Sequence, residues 1–228
     1  AENIIEIEGI KVKEQDIKIN SFSIKEKNNL VSFENLLIND EFKIISLGKV
    51  NLDYFDKQKQ KNLIKINKKN DEYFLTGSSF NANNLISSLL NSKDNNFDIV
   101  QFDNKIHVLV DKIYLDNEYF LRNFNGNLFL KGSKIINANL NGNFTDDKNL
   151  QFTVITKNSN KVTTLFSDKA EPLVKRYKFV KGFDEGSLDF YNSKDIEDSI
   201  STLKIYDFKL KELPVLTKIL TLASLQGI

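Results

Sequence analysis

The 228-residue chain is 40% hydrophobic and sets 32 Lys and Arg against 31 Asp and Glu, a net charge of +1. With Arg122 and Arg176 as its only arginines it lacks the cationic field that nucleic acid binding needs. It has no cysteine, which excludes disulfides, thiol nucleophiles and thiolate metal sites.

In chain order, period-two alternation comes first. Ile5 with Ile7, Ile10 with Val12, Ile17 with Ile19 and Phe22 with Ile24 alternate with polar residues, and the parity shifts near Gly9 and Asn20. Half-buried strands broken by bulges or turns produce that pattern. After Asn81, which suits an N-cap, Ala82, Leu85, Ile86, Leu89 and Leu90 share one face of a short helix. Alternation resumes with Ile106, Val108 and Val110 around His107, then Leu128 and Leu130, then Ile136, Ala138 and Leu140, then Phe152 and Val154. Polar clusters at Lys131 to Lys134, Thr145 to Asn149 and Lys157 to Asn160 are spaced as the turns of an antiparallel meander. Asn125-Gly126 and Asn141-Gly142 compete for the turn role. They are placed inside strands of about 12 residues, because turns there would leave the polar clusters without a task.

A second helix is expected from Ser167 and Asp168, with Pro172 in its first turn and Ala170, Leu173, Val174 and Tyr177 on one face. Leu188 with Phe190, and then Leu203 to Leu210, give further strands. From Leu213 a Pro214-initiated helix carries Leu216, Ile219, Leu220, Ala223 and Leu225 on one face. It contains Lys218 and is too short for a bilayer core, which takes roughly 20 apolar residues. Methionine is absent, position 1 included, so the chain is expected to be processed or excised from a longer protein.

Catalytic constellations are few. His107, the single histidine, sits mid-strand and reads as a solvent-facing residue, and a triad with a second histidine is impossible. Asp146 with Asp147, and Asp195 with Glu197 and Asp198, read as solvated turn carboxylates. Gly182 and Gly186 lack the spacing and lysine of a phosphate loop, and no stretch has the ligand order of a calcium loop. The chain therefore reads as non-enzymatic, with no cofactor and no metal.

One resemblance emerges from the C-terminal third. Ser167-Asp168-Lys169-Ala170-Glu171, Leu173, Gly186-Ser187-Leu188, Leu203 to Leu210, Leu213-Pro214-Val215-Leu216 and Leu220 to Ile228 resemble, in order, the end of AsmA-like proteins of the YhdP type. Gly77-Ser78-Ser79-Phe80-Asn81 leading into Leu85 to Leu90 is similar to the strand-to-helix segment of that family. The resemblance implies an envelope protein of the periplasm, attached to the inner membrane through a segment outside this chain. It also implies a mainly β fold with long antiparallel strands in a curled, taco-shaped sheet and about three short helices, including the apolar C-terminal one. Residues 1–76 would continue the sheet ahead of the AsmA-like region at 77–228.

In that setting the expected function is an apolar groove for phospholipid acyl chains, moving lipid between inner and outer membrane. The groove-lining residues expected are Ile106, Val108, Val110, Leu128, Leu130, Ile136, Ala138, Leu140, Phe152, Val154, Leu188 and Phe190. Expected partners are phospholipid or another acyl-chain lipid, neighbouring β-groove modules of the same protein and membrane partner proteins, with no nucleic acid. Asp at Val108 and Leu130 is expected to block lipid occupancy in a folded protein. Alternation alone equally describes a closed sandwich, an envelope scaffold with a filled core and no ligand.

Overall fold

The computed structural model describes residues 3–13, 16–86, 101, 103–176, 182–195 and 198–211. Among these, 14 strands form one sheet. They are β1 (Asn3–Lys13), β2 (Asp16–Glu26), β3 (Asn29–Ile38), β4 (Ile44–Ser46), β5 (Lys49–Phe55), β6 (Lys61–Lys69) and β7 (Glu72–Asn81), followed by β8 (Lys105–Tyr114), β9 (Phe120–Lys131), β10 (Lys134–Asn143), β11 (Asn149–Lys157), β12 (Asn160–Ser167), β13 (Phe183–Lys194) and β14 (Ser199–Leu210). Neighbours follow chain order from β1 to β14, with β4 set off the path beside β3. Among the described residues no pairing joins β1 to β14, so the sheet is not closed and is one sheet in place of the two of a sandwich.

All pairings are antiparallel except β7 with β8. A parallel pair needs a crossover, and the long connection after β7 supplies it, beginning with helical residues 83–86. The Asn81 side chain accepts from the Asn83 N–H at 3.0 Å, as an N-cap does. Leu89 and Leu90 lie outside the described residues. The boundary drawn after residue 76 falls inside β7, so the two halves share a strand.

The meander is built as its polar clusters imply. Lys131 to Lys134, residues 144–148 and residues 157–160 are the turns, and Gly126 and Gly142 lie within β9 and β10. The second helix is shorter than expected, a single turn at Glu171–Val174. Ser167 instead ends β12, fully buried, the N-cap is Ala170 with no side-chain cap, and the Asp168 carboxylate accepts from the Asn149 N–H at 2.7 Å across the β11–β12 pair. Tyr177 and the apolar helix expected from Leu213 lie outside the described residues.

The parity shifts of the sequence are kinks that skip one pair without changing the register, so the bulges expected there are not formed. Between Glu8↔Ser21 and Ile10↔Ile19 the register steps over Gly9 and Asn20, and between Ser21↔Glu34 and Ile19↔Leu36 it steps over Asn35. Gly9 and Asn35 hold φ of +65° and +53°, and a Cβ on Gly9 would stand 2.2 Å from the Asn20 side chain. The same step recurs at Asp111 with Asn123 and at Gly186 with Asp207. Each moves the next apolar residue three positions on instead of two, so Phe33 and Leu36, Val110 and Ile113, and Phe124 and Leu121 stay on one face.

Candidate functional site

Read across the strands, paired residues trace one unbroken row: Ile7, Phe22, Phe33, Val50, Ile66, Leu75, Val108, Gly126, Leu140, Phe152, Leu165, Phe190 and Leu203. Every strand but β4 contributes one residue, and every side chain in the row is apolar. The adjacent row, on the other face, is Glu8, Ser21, Glu34, Lys49, Asn67, Phe74, His107, Asn127, Asn139, Thr153, Thr164, Tyr191 and Thr202. The sheet thus has one oily face and one wet face, as half-buried strands require.

Most of the expected lining residues stand on the oily face. Val108, Leu140, Phe152 and Phe190 belong to the row itself. Ile106, Leu128, Ala138 and Val154 form the next row on that face, and Val110 pairs with Phe124 on its other side. Leu130 packs with Leu36, Leu47, Val50 and Tyr73, and Leu188 packs with Ala170, Val174 and Phe183. Ile136 stands apart. It is the extra residue of a bulge, and Ile135 packs in the cluster around Leu130, while Ile136 borders a polar depression with Lys43, Gln101, Asp103 and Lys131.

Burial divides this face. At its centre Val110, Leu121, Leu130 and Val154 are 0, 1, 2 and 2% exposed, whereas on β1 Ile5, Ile7, Ile10 and Val12 are 65, 49, 58 and 70% exposed, and Leu203 on β14 is 54%. Val108 is also buried, so Asp at Val108 and Leu130 would place unpaired carboxylates in a packed interior and test folding in place of lipid access. The expected set also missed the first half of the sheet, where Ile7, Phe22, Phe33, Val50, Ile66 and Leu75 carry the row, and Leu165 and Leu203 in the second half. Their alternation was visible, but nothing in one sequence says which distant strands share a face.

His107 lies in the polar row, as its place in the alternation implies. Its ring stacks on Phe74 at 4.6 Å, and Nε2 meets Glu72 Oε2 at 2.6 Å. That hydrogen bond, with Lys105 nearby, holds the Glu72 carboxyl below its ordinary range. Among the described residues no group of three or more His, Asp or Glu is arranged to hold a metal.

A polar clasp ties separate segments together at one margin of the oily face. The Ala170 N–H donates to Gly186 of β13 at 2.7 Å, while its neighbour Glu171 accepts from the Tyr119 hydroxyl in the β8–β9 turn. Consecutive residues thus touch elements four strands apart. Burial and the Glu171 carboxylate push the Tyr119 ionisation well up, so this phenol stays a neutral donor. Arg176 adds the second tie: it donates to the Asn83 carboxamide at 2.8 Å, to the Leu115 carbonyl and to the Pro172 carbonyl at 3.1 Å. The Gln60 carboxamide reaches the Asp116 carbonyl at 3.3 Å from the β5–β6 turn.

Arg176→Ala would strand several part-buried acceptors at once. It is expected to lower stability by about 2 to 3 kcal/mol, read by urea unfolding. Arg176→Lys should recover only part of that, since one ammonium does not reproduce the planar fork. A loss below ~0.5 kcal/mol would mean the clasp holds nothing closed.

Comparison of the chain with protein-family models, with curated proteins and with solved structures finds no match. The functional reading therefore rests on the two faces, the exposed apolar margins and the clasp. Among the described residues no helix is long and apolar enough to cross a membrane.

Proposed function

We propose that the oily face is a trough for phospholipid acyl chains, and that the chain is a non-enzymatic periplasmic module of an AsmA-like protein that carries lipid between the inner and outer membranes. The observation that carries this is the uninterrupted apolar row across 13 strands of an unclosed sheet, exposed where it reaches β1. An exposed apolar surface on that scale is unfavourable unless something covers it. The clasp supports a curled sheet: laid flat, β9 and β13 would stand about 19 Å apart at the usual strand spacing, yet Ala170 and Glu171 contact both regions.

The physics of such a trough needs no covalent step. An acyl chain in water exposes methylenes at about 0.8 kcal/mol each, so keeping a dozen of them dry lowers the cost of transit by on the order of 10 kcal/mol. Native mass spectrometry of the protein purified from a bacterial envelope in mild detergent tests this. Phospholipid is expected to accompany the folded protein, and lipid-free protein from lipid-rich preparations would contradict it.

A second reading, an envelope scaffold whose sheet folds on a filled core, is favoured by the complete burial of Val110 and Leu121. In that case the same spectra would show apo protein, and neighbouring modules would pair with the unpaired edges of β1 and β14.

A further inference from the structure

The margin of the oily face remote from the clasp carries charge that the sheet leaves uncompensated. Lys161 on β12 and Lys194 on β13 are direct cross-strand partners. By the two-residue period they share a face with Thr163 and Asn192, and beyond those with Leu165 and Phe190 of the apolar row. Thr156, the partner of Lys161 on β11, donates its hydroxyl to the Ile136 carbonyl at 2.7 Å, so the lysine pair lies alongside the margin of the face at β10.

Like charges set directly opposite on a sheet repel. Among the described residues neither lysine has a carboxylate within ion-pair distance. Asp195, next in the chain, instead accepts the Asp198 N–H at 2.7 Å. Lys161 is half-buried, and that burial, then the charges of Lys194 and Lys134, hold its ammonium below the ordinary lysine range. Two ammonium groups thus meet at the rim of an apolar surface with no counter-charge among the described residues, an arrangement that suits an anion.

We propose that Lys161 and Lys194 receive the phosphate of a phospholipid headgroup whose acyl chains lie on the apolar row, and that this favours lipids of net negative charge. The proposal rests on the acyl-chain reading and adds the headgroup class to it. Phosphate suits the pair because two ammonium donors converge on its oxygens in charge-assisted hydrogen bonds, and a headgroup amine would compete for the same charge.

The test compares uptake from vesicles of dioleoyl phosphatidylglycerol and of dioleoyl phosphatidylcholine, whose acyl chains are identical. The full chain is expected to take up the glycerol lipid about tenfold better. Lys161→Gln with Lys194→Gln should abolish that preference, bringing glycerol-lipid uptake down to the level of the choline lipid, and hold or raise the melting temperature because the repulsion is gone. Equal uptake by the unaltered protein, or a preference that survives in the double variant, overturns the headgroup site while leaving the trough standing. Uptake of neither lipid overturns both. Inorganic phosphate in excess is expected to change glycerol-lipid uptake by less than about twofold, because the acyl chains supply most of the affinity. If phosphate erases the preference, the pair is a free-anion site and the headgroup assignment fails.

Discussion

Gly126→Ala is expected to destabilise the protein by about 3 kcal/mol or more, the largest effect of any single added methyl group. Gly126 holds φ at +144°, and a Cβ there would lie 2.0 Å from the Asn139 carbonyl oxygen and 2.9 Å from the Leu140 Cα, both backbone atoms that cannot turn aside. The residue sits in the middle of the apolar row, between Val108 and Leu140, with the β10 backbone against it. Gly132→Ala is the control: its φ is also positive, at +59°, but nothing lies within 4 Å of its Cβ. That variant should lose only about 1 kcal/mol. For a chain of this size the contrast amounts to a difference of about 4 to 8 °C in melting temperature. Equal losses would mean that the close approach of β9 and β10 does not exist in solution.

The second large effect concerns lipid rather than folding. Asp at Ile7 and Leu203 places a charge at each end of the row, at positions 49 and 54% exposed, where the folded protein tolerates it. A carboxylate facing hydrocarbon costs several kcal/mol, so phospholipid recovered with this variant is expected to fall at least about tenfold. Ile200→Asp is the matched control, 67% exposed and paired with Ser193 on the wet face. It should carry lipid as the unaltered chain does. Circular dichroism of all three proteins separates lost binding from lost structure.

Much of this architecture can be read from residue order. The alternation around His107 put Ile106, Val108 and Val110 on one face, and the three polar clusters marked the turns, because strand period and turn chemistry are local. The kinks could be read only as parity shifts near Gly9 and Asn20; that they line up across β1, β2 and β3 with the register unchanged depends on pairing. Ile136 shows the same limit. A bulge between Ile135 and Asn137 moves it off the row that simple alternation gave it. Ser167 misled for another reason: it fits a helix start, but it ends a strand whose backbone ladder continues through Leu150 and Leu188. The lysine pair was the least legible, since Lys161 and Lys194 meet only through the register of β12 and β13. Long-range pairing also carries the clasp, in which Tyr119, Asn83 and the segment holding Glu171 and Arg176 are three separate stretches of chain.

Photo-crosslinking from single sites tests the central claim most directly. A benzophenone amino acid replaces Phe22, Phe33 or Phe190 on the oily face, and Phe74 or Tyr191 on the wet face, and the protein is irradiated in contact with phospholipid vesicles. Adducts of phospholipid mass are expected from the three oily positions and from neither wet one. Adducts from both faces alike, or none from Phe22, Phe33 and Phe190 in protein that remains folded, would contradict it.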